Sequence, residues 1–446
     1  MSNEWSFATE QIHAGQTPDP TTGARALPLY QTTAFVFEDA DQAANRFALA
    51  ELGPIYTRIT NPTTEVVENR IAALEGGVGA LLLASGQSAV FLSILNLAQA
   101  GDHIVASSSL YGGTYNLFKH TLPKIGITVD FVEDPSDPQS WADAIQPNTK
   151  ALFGESIPNP KGDILDIEAI AEVAHEAGVP LIVDNTVATP HVLRPFDWGA
   201  DIVVSSATKY LAGHGTTMAG VIVDSGNFDF GAEPEKFPGF NEPDESYNGL
   251  VYARDLGKDG AFGVNLSYIL KARVQLLRDL GPAISPFNSF QLAQGLETLS
   301  LRMDKHLANT AAVAEYLDGH DQVLGVHYAG LEDSPYFELA QKYTPAGPGA
   351  VISFDLDGGL EAGKAFVSAL ELHSNVANIG DVRSLVVHPA STTHSQLTPE
   401  AQQRTGVQPG LVRLAVGLED PADIIADLEL GFAAAKEAQA QSGKED

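Results

Sequence analysis

Lys209 follows an apolar segment, residues 202–205, and is preceded by small residues with hydroxyl side chains. A lysine near the dehydrated end of a buried strand has a lowered pKa and can attack a carbonyl carbon to form a Schiff base. The alternative is an ordinary surface lysine after a strand. The residues expected near Lys209 decide between these two interpretations.

Asp184 ends a second apolar segment, residues 181–184, one strand–helix unit earlier in the chain. Ligands of open α/β sheets lie at the carboxyl ends of the strands. Asp184 and Lys209 are therefore expected to face the same crevice. The alternative for Asp184 is a helix N-cap, because aspartate often caps helices.

A third apolar segment, residues 81–84, continues into the sequence SGQS (85–88) and a predicted helix, residues 89–98. Glycine lets backbone N–H groups approach a ligand, and a helix N-terminus attracts an anion. Ser206 and Thr208 can donate their hydroxyl groups to the same anion. Together these segments predict a phosphate site.

Tyr111 follows a predicted strand, residues 103–106, and two glycines come directly after it. Core packing is one explanation for this ring, but the glycines indicate a backbone that bends near a ligand. An aldehyde-reactive lysine, an acid, a phosphate site and a ring to stack together fit pyridoxal phosphate (PLP). In such a site the acid keeps the pyridine nitrogen protonated, so that the ring accepts electrons.

An amino-acid substrate of such a site also needs a cation for its carboxylate. Arg413 lies in an apolar, strand-like segment, residues 411–417. A buried arginine without a partner is too costly, so Arg413 must pair with something. The partner is either a substrate carboxylate or a structural Asp or Glu.

Two further motifs are weak. The sequence GGLEAGKA (358–365) resembles a nucleotide-binding loop, but it has Ala365 where the motif needs Ser or Thr for Mg²⁺. His388 and His394 lack the helical spacing of a zinc pair, and the chain has no cysteine. We therefore expect neither a nucleotide site nor a metal site.

Apolar segments alternate with helical patterns from residue 61 onwards. Several of these segments are apolar throughout, as in strands that are buried on both faces. The order predicts an α/β fold with a mainly parallel, seven-stranded sheet. The predicted strands are residues 80–84, 103–106, 128–132, 151–155, 181–184, 202–205 and 220–223.

Two regions depart from this alternation. Residues 1–60 are irregular and are predicted to form an arm that contacts a neighbouring subunit, ending where Asn61 caps a helix. Residues 225–262 are rich in Gly, Pro, Asp and aromatic residues, and are predicted to form a functional insertion rather than a linker.

The remaining chain divides into two predicted domains. Residues 61–299 are expected to form a large PLP-binding domain and residues 300–446 a smaller C-terminal α+β domain. A long helix is predicted for residues 287–306, and an alanine-rich helix for residues 433–446.

The overall composition excludes several classes of partner. The 446 residues include 25 Lys and Arg against 57 Asp and Glu, for a net charge of −32. Such a surface repels nucleic acid and anionic membranes. Residues 1–15 lack the basic and apolar segments of a signal peptide, and no apolar run approaches the ~20 residues that span a bilayer. We therefore expect a cytoplasmic protein.

Seven segments of the chain resemble the Cys/Met-metabolism PLP-dependent enzymes. They are YTRITNPT (56–63), ASGQSA (84–89), YGGTY (111–115), PLIVDNT (180–186), SSATKYLAGHG (205–215), HPASTTHS (388–395) and VRLAVGLED (412–420). The resemblance covers essentially the whole chain. It implies the aspartate-aminotransferase-like fold, fold type I, with PLP as the cofactor.

The resemblance also implies a role for each matching residue. Lys209 is implied to form the Schiff base, Asp184 to pair with the pyridine nitrogen, and Tyr111 to stack on the ring. The other implied contacts are Gly86, Gln87, Ser206 and Thr208 with the phosphate, Asn159 with the ring hydroxyl, and Arg413 and Asn378 with the substrate. Tyr56 and Arg58 are implied to reach the phosphate of the neighbouring subunit, which makes a dimer the minimum active unit and a homotetramer the expected assembly.

Within the family, the insertion at residues 225–262 and the overall length resemble the O-acetylhomoserine sulfhydrylase branch. Methionine γ-lyases often carry a cysteine where this chain has Gly113. The implied transferase reaction replaces the acetate of O-acetylhomoserine by sulfide and gives homocysteine for methionine biosynthesis. Lys209 is implied to move protons at Cα and Cβ, and Tyr111 to assist the leaving group. Cystathionine γ-synthase and γ-lyase are the alternatives in the same family.

Overall fold

The computed structural model describes residues 5–159, 162–393, 395 and 407–442. The strands are β1 (Gly79–Leu83), β2 (His103–Ser107), β3 (Thr128–Val132), β4 (Thr149–Glu155), β5 (Leu181–Asp184), β6 (Ile202–Ser205), β7 (Gly220–Asp224), β8 (Val323–His327), β9 (Val351–Leu356), β10 (Ser374–Asn375), β11 (Leu385–Val387) and β12 (Leu411–Ala415). The α-helices are α1 (Phe7–His13), α2 (Ala40–Phe47), α3 (Pro62–Glu75), α4 (Gly86–Leu95), α5 (Gly112–Asn116), α6 (Pro138–Ala144), α7 (Ile167–Glu176), α8 (Thr189–Val192), α9 (Pro238–Asn241), α10 (Tyr252–Asp255), α11 (Ser267–Lys271), α12 (Arg278–Leu280), α13 (Pro286–Leu296), α14 (Leu299–Asp318), α15 (Phe337–Tyr343), α16 (Gly359–Ala369) and α17 (Pro421–Ser442).

The first seven strands form one sheet in the order β1-β7-β6-β5-β4-β2-β3. Strand β7 runs antiparallel to its neighbours β1 and β6, and the other pairs are parallel. Strands β2, β4, β6 and β7 are buried along their whole length, as expected for strands that are covered on both faces. The predicted mainly parallel, seven-stranded sheet is confirmed.

Local signals in the sequence fix the two helices on either side of β1. The Asn61 side chain accepts a hydrogen bond from the Thr63 amide at the start of α3, and Gly76 ends that helix with a left-handed φ of 81°. Ser85 accepts from the Ser88 amide and caps α4. Helix α4 therefore begins at Gly86, earlier than predicted, and its N-terminus lies at the carboxyl edge of the parallel strands.

The C-terminal part of the chain contains a second, five-stranded sheet in the order β10-β11-β12-β9-β8. Its pairs are antiparallel except for β10 with β11. Phe354 on β9, Phe366 on α16 and Phe432 on α17 pack together in a separate core. The predicted boundary at residues 299 and 300 falls at the start of α14.

Two predictions about helices are wrong. The arm is not irregular throughout, because it contains α1 and α2, and Asp39 caps α2 by accepting from the Gln42 amide. The predicted helix at residues 287–306 is two helices, α13 and α14. The buried Arg302 donates to the carbonyl oxygen of Gly295 at 2.8 Å and to that of Tyr210 at 2.7 Å, so a tertiary contact stabilises the break.

The insertion at residues 225–262 lies at the amino edge of the parallel strands, because β7 runs antiparallel and ends there. Lys150, near the start of β4, donates to the carbonyl oxygen of Lys236. Phe230, Phe240 and the adjoining Tyr268 are buried and stacked. The insertion is therefore folded against its own chain.

None of the helices in the described ranges combines the length and apolar character needed to cross a membrane. Among these residues there is also no group of three or more His, Cys, Asp or Glu side chains that could hold a metal ion. His388 contacts the Ser391 hydroxyl and the Pro409 carbonyl oxygen, each at 2.8 Å. His394 and the last four residues of the predicted helix at 433–446 lie outside the described residues.

Candidate active site

Most of the predicted site residues line one cavity at the carboxyl edge of the parallel strands. Its volume is about 230 Å³. The predicted residues in its wall are Gly86, Gln87, Tyr111, Asn159, Asp184, Ser206, Thr208, Lys209, Asn378 and Arg413. The two sheets both contribute, because Arg413 comes from β12 of the second sheet.

Lys209 follows the carboxyl end of β6 and is half-buried in the cavity wall. Its Nζ donates a hydrogen bond to Oδ1 of Asn378. Burial lowers the pKa of Lys209, and the positive charge of Arg413 lowers it further. A lowered pKa increases the fraction of neutral, nucleophilic amine. This setting favours a reactive lysine over an ordinary surface lysine.

Asp184 ends β5 and faces the same cavity. Its Oδ1 accepts hydrogen bonds from the Thr186 amide at 3.0 Å and the Thr186 hydroxyl at 2.5 Å. The Thr186 hydroxyl also accepts from the Ser206 amide at 2.8 Å. Asp184 is not a helix N-cap, since the next helix begins only at Thr189. Thr186 thus links the acid on β5 to the loop after β6.

The predicted phosphate site is a narrow space between α4 and the loop after β6. A Cβ atom added at Gly86 would lie 2.6 Å from Cβ of Ser206, so only glycine fits without displacement. Helix α4 begins at Gly86 in the cavity wall, and the first backbone N–H groups of a helix have no partner within the helix, so this end can bind an anion. The Thr208 hydroxyl lines the cavity but donates to the Ala219 carbonyl oxygen at 3.1 Å.

Tyr111 lies at the mouth of the cavity, and 55% of its surface is exposed. Its amide donates to Oε1 of Glu155 at 2.5 Å. A Cβ atom added at Gly113 would lie 2.4 Å from Cε1 of Tyr111. Any side chain at residue 113 would therefore collide with the Tyr111 ring in its present position. The exposure excludes core packing as the reason for this ring.

Among the described residues, the hydrogen-bond partners of Arg413 are uncharged groups. Its Nη2 donates to the Asn378 carbonyl oxygen at 3.1 Å and its Nη1 to Oδ1 of Asn159 at 3.5 Å. Its buried Nε has no hydrogen-bond partner in the part of the chain that the structure describes. Burial lowers the pKa of Arg413 to about 10, which leaves it charged near neutral pH. Within the described part of the chain no carboxylate forms an ion pair with it, so the guanidinium can take an anionic ligand.

Tyr56 and Arg58 are the predicted site residues that do not line the cavity. They lie on the arm, where the Arg58 guanidinium is 5.3 Å from the centre of the Tyr56 ring. Tyr56 is 41% exposed. A single chain therefore does not bring these two residues to the other site residues.

The sequence reasoning missed two polar residues in the cavity wall, Glu155 and Thr186. Glu155 ends β4 and is paired in register with Asp184. It satisfies the same pattern that identified Asp184, an apolar strand that ends in a carboxylate. Thr186 has no comparable signal, because its importance comes from its contact with the Ser206 amide.

The residues of the cavity fit PLP by the chemistry of their side chains. A nucleophilic lysine, an acid, an anion site that a Cβ would fill and an aromatic ring all face one space. The Arg413 guanidinium, whose Nε has no partner among the described residues, adds a cation for a substrate carboxylate. This set meets four requirements of the cofactor and one of its amino-acid substrate.

The chain matches the family described as Cys/Met metabolism PLP-dependent enzyme over residues 8–433. It is 54% identical to the O-acetyl-L-homoserine sulfhydrylase of Corynebacterium glutamicum, over 97% of this chain and 98% of the relative. It is 52% identical to the homocysteine synthase of Schizosaccharomyces pombe, over 94% of this chain and 96% of the relative.

A solved structure has the same fold. It is that of a candidate O-acetylhomoserine (thiol)-lyase from Campylobacter jejuni with a pyridoxyl-lysine phosphate. It has a TM-score of 0.91 and 38% sequence identity, covering 96% of this chain and 100% of that chain. The fold and the cofactor that the sequence implied are thereby confirmed. The chain belongs to the Cys/Met metabolism PLP-dependent enzymes.

Proposed function

We propose that the protein converts O-acetyl-L-homoserine and sulfide into L-homocysteine and acetate, the direct sulfhydrylation step of methionine biosynthesis. The observation that carries this proposal is the cavity that holds Lys209 beside Arg413, a cation without an acidic partner in the described chain. The relatives named O-acetylhomoserine sulfhydrylase and homocysteine synthase support the substrate and the product.

The cofactor would be held by residues at the carboxyl ends of five strands, β1, β2, β4, β5 and β6. Asp184 would face the pyridine nitrogen, Asn159 the ring hydroxyl and Tyr111 the face of the ring. Gly86, Gln87, Ser206 and Thr208 would surround the phosphate. When bound, PLP supplies a carbon that the substrate amino group can attack and an electron sink for the carbanions of the reaction.

The substrate would be oriented by its carboxylate. Arg413 would bind that group, which places Cα of the substrate near Nζ of Lys209. Lys209 would take the proton from Cα and then one from Cβ, and would return protons to both carbons after the nucleophile has added. The acetate would leave from Cγ with the bonding electron pair, assisted by Tyr111, and hydrosulfide would add at the same carbon.

We infer that the active unit is at least a dimer, and a homotetramer is the expected assembly. Apolar side chains of the arm support this inference, since Val36 is 94% and Phe47 62% exposed. Tyr56 and Arg58 on the same arm would complete the phosphate site of a second copy. The cytoplasmic location expected from the sequence stays a prediction.

Product analysis tests the proposed function. Purified enzyme is incubated with O-acetyl-L-homoserine and either sulfide or cysteine, and the products are identified by mass spectrometry. We expect homocysteine and acetate with sulfide, and no product with Lys209→Ala. Cystathionine as the main product from cysteine, with little homocysteine from sulfide, would contradict the proposal.

A further inference from the structure

Two carboxyl groups lie side by side in the cavity wall, and the proposed mechanism uses only one of them. Glu155 and Asp184 end the neighbouring parallel strands β4 and β5, and their Cα atoms are partners in register. Both side chains line the cavity. Glu155 is only 6% exposed. Negative charges on adjacent strand ends repel each other, and burial leaves the charge of Glu155 poorly hydrated, so one shared proton stabilises the pair.

The hydrogen bonds of the two carboxyl groups are unequal. Asp184 accepts two, from the amide and the hydroxyl of Thr186. Among the described residues, Glu155 accepts one, from the Tyr111 amide. Hydrogen bonds donated to a carboxylate stabilise its charged form. The geometry therefore favours the negative charge on Asp184 and the proton on Glu155.

The surrounding charges act in the same direction. Burial and the negative charge of Asp184 raise the pKa of Glu155 well above its usual value. Burial also raises the pKa of Asp184, but both Thr186 hydrogen bonds counteract this rise. The other titratable groups that line the cavity are Tyr111, Lys209 and Arg413.

We propose that Glu155 is a positioning residue that stays protonated in the working enzyme, anchors the Tyr111 amide, and leaves Asp184 as the single negative charge under the cofactor ring. Thr186 directs the proton to Glu155 by donating to Asp184. This inference rests on the proposed roles of Asp184 and Tyr111. It does not depend on which nucleophile or leaving group the enzyme uses.

Infrared difference spectroscopy of the holoenzyme without substrate tests where the proton lies. Wild-type protein and Glu155→Gln are compared near neutral pH. We expect a protonated-carboxyl C=O band in the wild type that is missing from Glu155→Gln. The absence of any such difference would overturn the proposal, whatever substrate the enzyme accepts.

The kcat values of two Glu155 variants show whether Glu155 acts by anchoring the Tyr111 amide or has a merely structural role. The glutamine of Glu155→Gln is uncharged and can still accept from the Tyr111 amide, whereas Glu155→Ala cannot. We expect kcat of Glu155→Gln to exceed that of Glu155→Ala by roughly tenfold, the effect of one hydrogen bond. Equal loss in both variants, with the cofactor still bound, would mean that the charge of Glu155 is needed and would overturn the proposal.

Substitution of Thr186 tests the proposal independently, through the pKa of Asp184. Thr186→Val keeps the shape but loses the hydroxyl, and Thr186→Ser retains it. Losing the hydrogen bond raises the pKa of Asp184, so the acid limb of kcat/KM is expected at higher pH in Thr186→Val than in Thr186→Ser. Coinciding acid limbs in the two variants would contradict the role given to Thr186.

Discussion

Lys209 has two polar neighbours with different effects on its amine. The Asn378 side chain accepts a hydrogen bond and fixes the position of Nζ. The positive charge of Arg413 disfavours the protonated form and lowers the pKa of Lys209 in addition to burial. The reactivity of this lysine therefore depends on a residue of the second sheet, far away in sequence.

This dependence can be measured by PLP uptake. We expect visible absorption on mixing apoenzyme with PLP to appear at higher pH in Arg413→Gln than in the wild type. Removing a nearby cation raises the pKa of Lys209, so a higher pH is needed for the neutral amine. Arg254→Gln is the control, because Arg254 is exposed and pairs with Asp255 in the insertion. Lys209→Ala should neither develop the band nor turn over, and an unshifted profile in Arg413→Gln would contradict the coupling.

The carboxylate site proposed for Arg413 has its own signature. A bidentate pair has two charge-assisted hydrogen bonds, each of about 1.5–3 kcal/mol. We expect Arg413→Ala to raise KM for O-acetyl-L-homoserine by more than about tenfold while bound PLP still absorbs. Arg413→Lys keeps the positive charge but lacks the planar guanidinium group, so its KM should lie between those of the wild type and Arg413→Ala. An unchanged KM, measured by initial rates, would exclude this role.

Sequence predicts those site residues that a local pattern marks. Lys209 and Asp184 follow or end apolar strands, and Arg413 is a charge inside one. Glu155 also ends a mostly apolar strand, as Asp184 does, but nothing in the sequence indicated which residue its side chain contacts. Thr186 depends on a contact with the Ser206 amide across two strand ends. Such contacts exist only once the strands are placed side by side.

At the scale of elements, the approach of α4 to the loop after β6 shapes the phosphate site. We expect Gly86→Ala to weaken PLP affinity by roughly tenfold or more, because its Cβ would lie 2.6 Å from Cβ of Ser206. Gly112→Ala is the matched control at the start of α5, where no atom lies within 4 Å of the added Cβ. Equilibrium titration with PLP measures the affinity of each variant. Equal affinities would show that the close approach of α4 to Ser206 does not require glycine at residue 86.

Elements were predictable where their signals are local. Mostly apolar segments identified the strands of the large sheet, and the cap at Asn61 with Gly76 bounded α3. The break between α13 and α14 contains neither glycine nor proline at Glu297 and Thr298. It is stabilised by Arg302, which donates to carbonyl groups distant in sequence. Tertiary contacts of this kind override the local helical pattern.

At the scale of the whole molecule, the positions of Tyr56 and Arg58 on the arm lead us to predict an active site that two subunits share. An Arg58→Ala subunit paired with a Lys209→Ala subunit gives one site with both defects and one with neither. Co-expression with two different tags and purification of the mixed oligomers should then recover activity in up to about half the sites. Each single variant should be nearly inactive, because a lost phosphate contact misplaces the cofactor.

The control for this experiment pairs two variants whose substituted residues belong to the same cavity of one chain. Lys209 and Asp184 line one cavity in one chain, so mixing Lys209→Ala with Asp184→Ala should restore nothing. If mixed oligomers carrying Arg58→Ala are no more active than their parents, the arm does not serve a neighbouring site.

The insertion lies at the amino edge of the sheet, on the side away from the cavity. Residues 231–235 are exposed there, and none of them lines the cavity. Attachment to a solid support through this segment should therefore leave the mouth of the cavity open to substrate. The fold thus provides a handle for an immobilised catalyst at the opposite edge of the sheet from the chemistry.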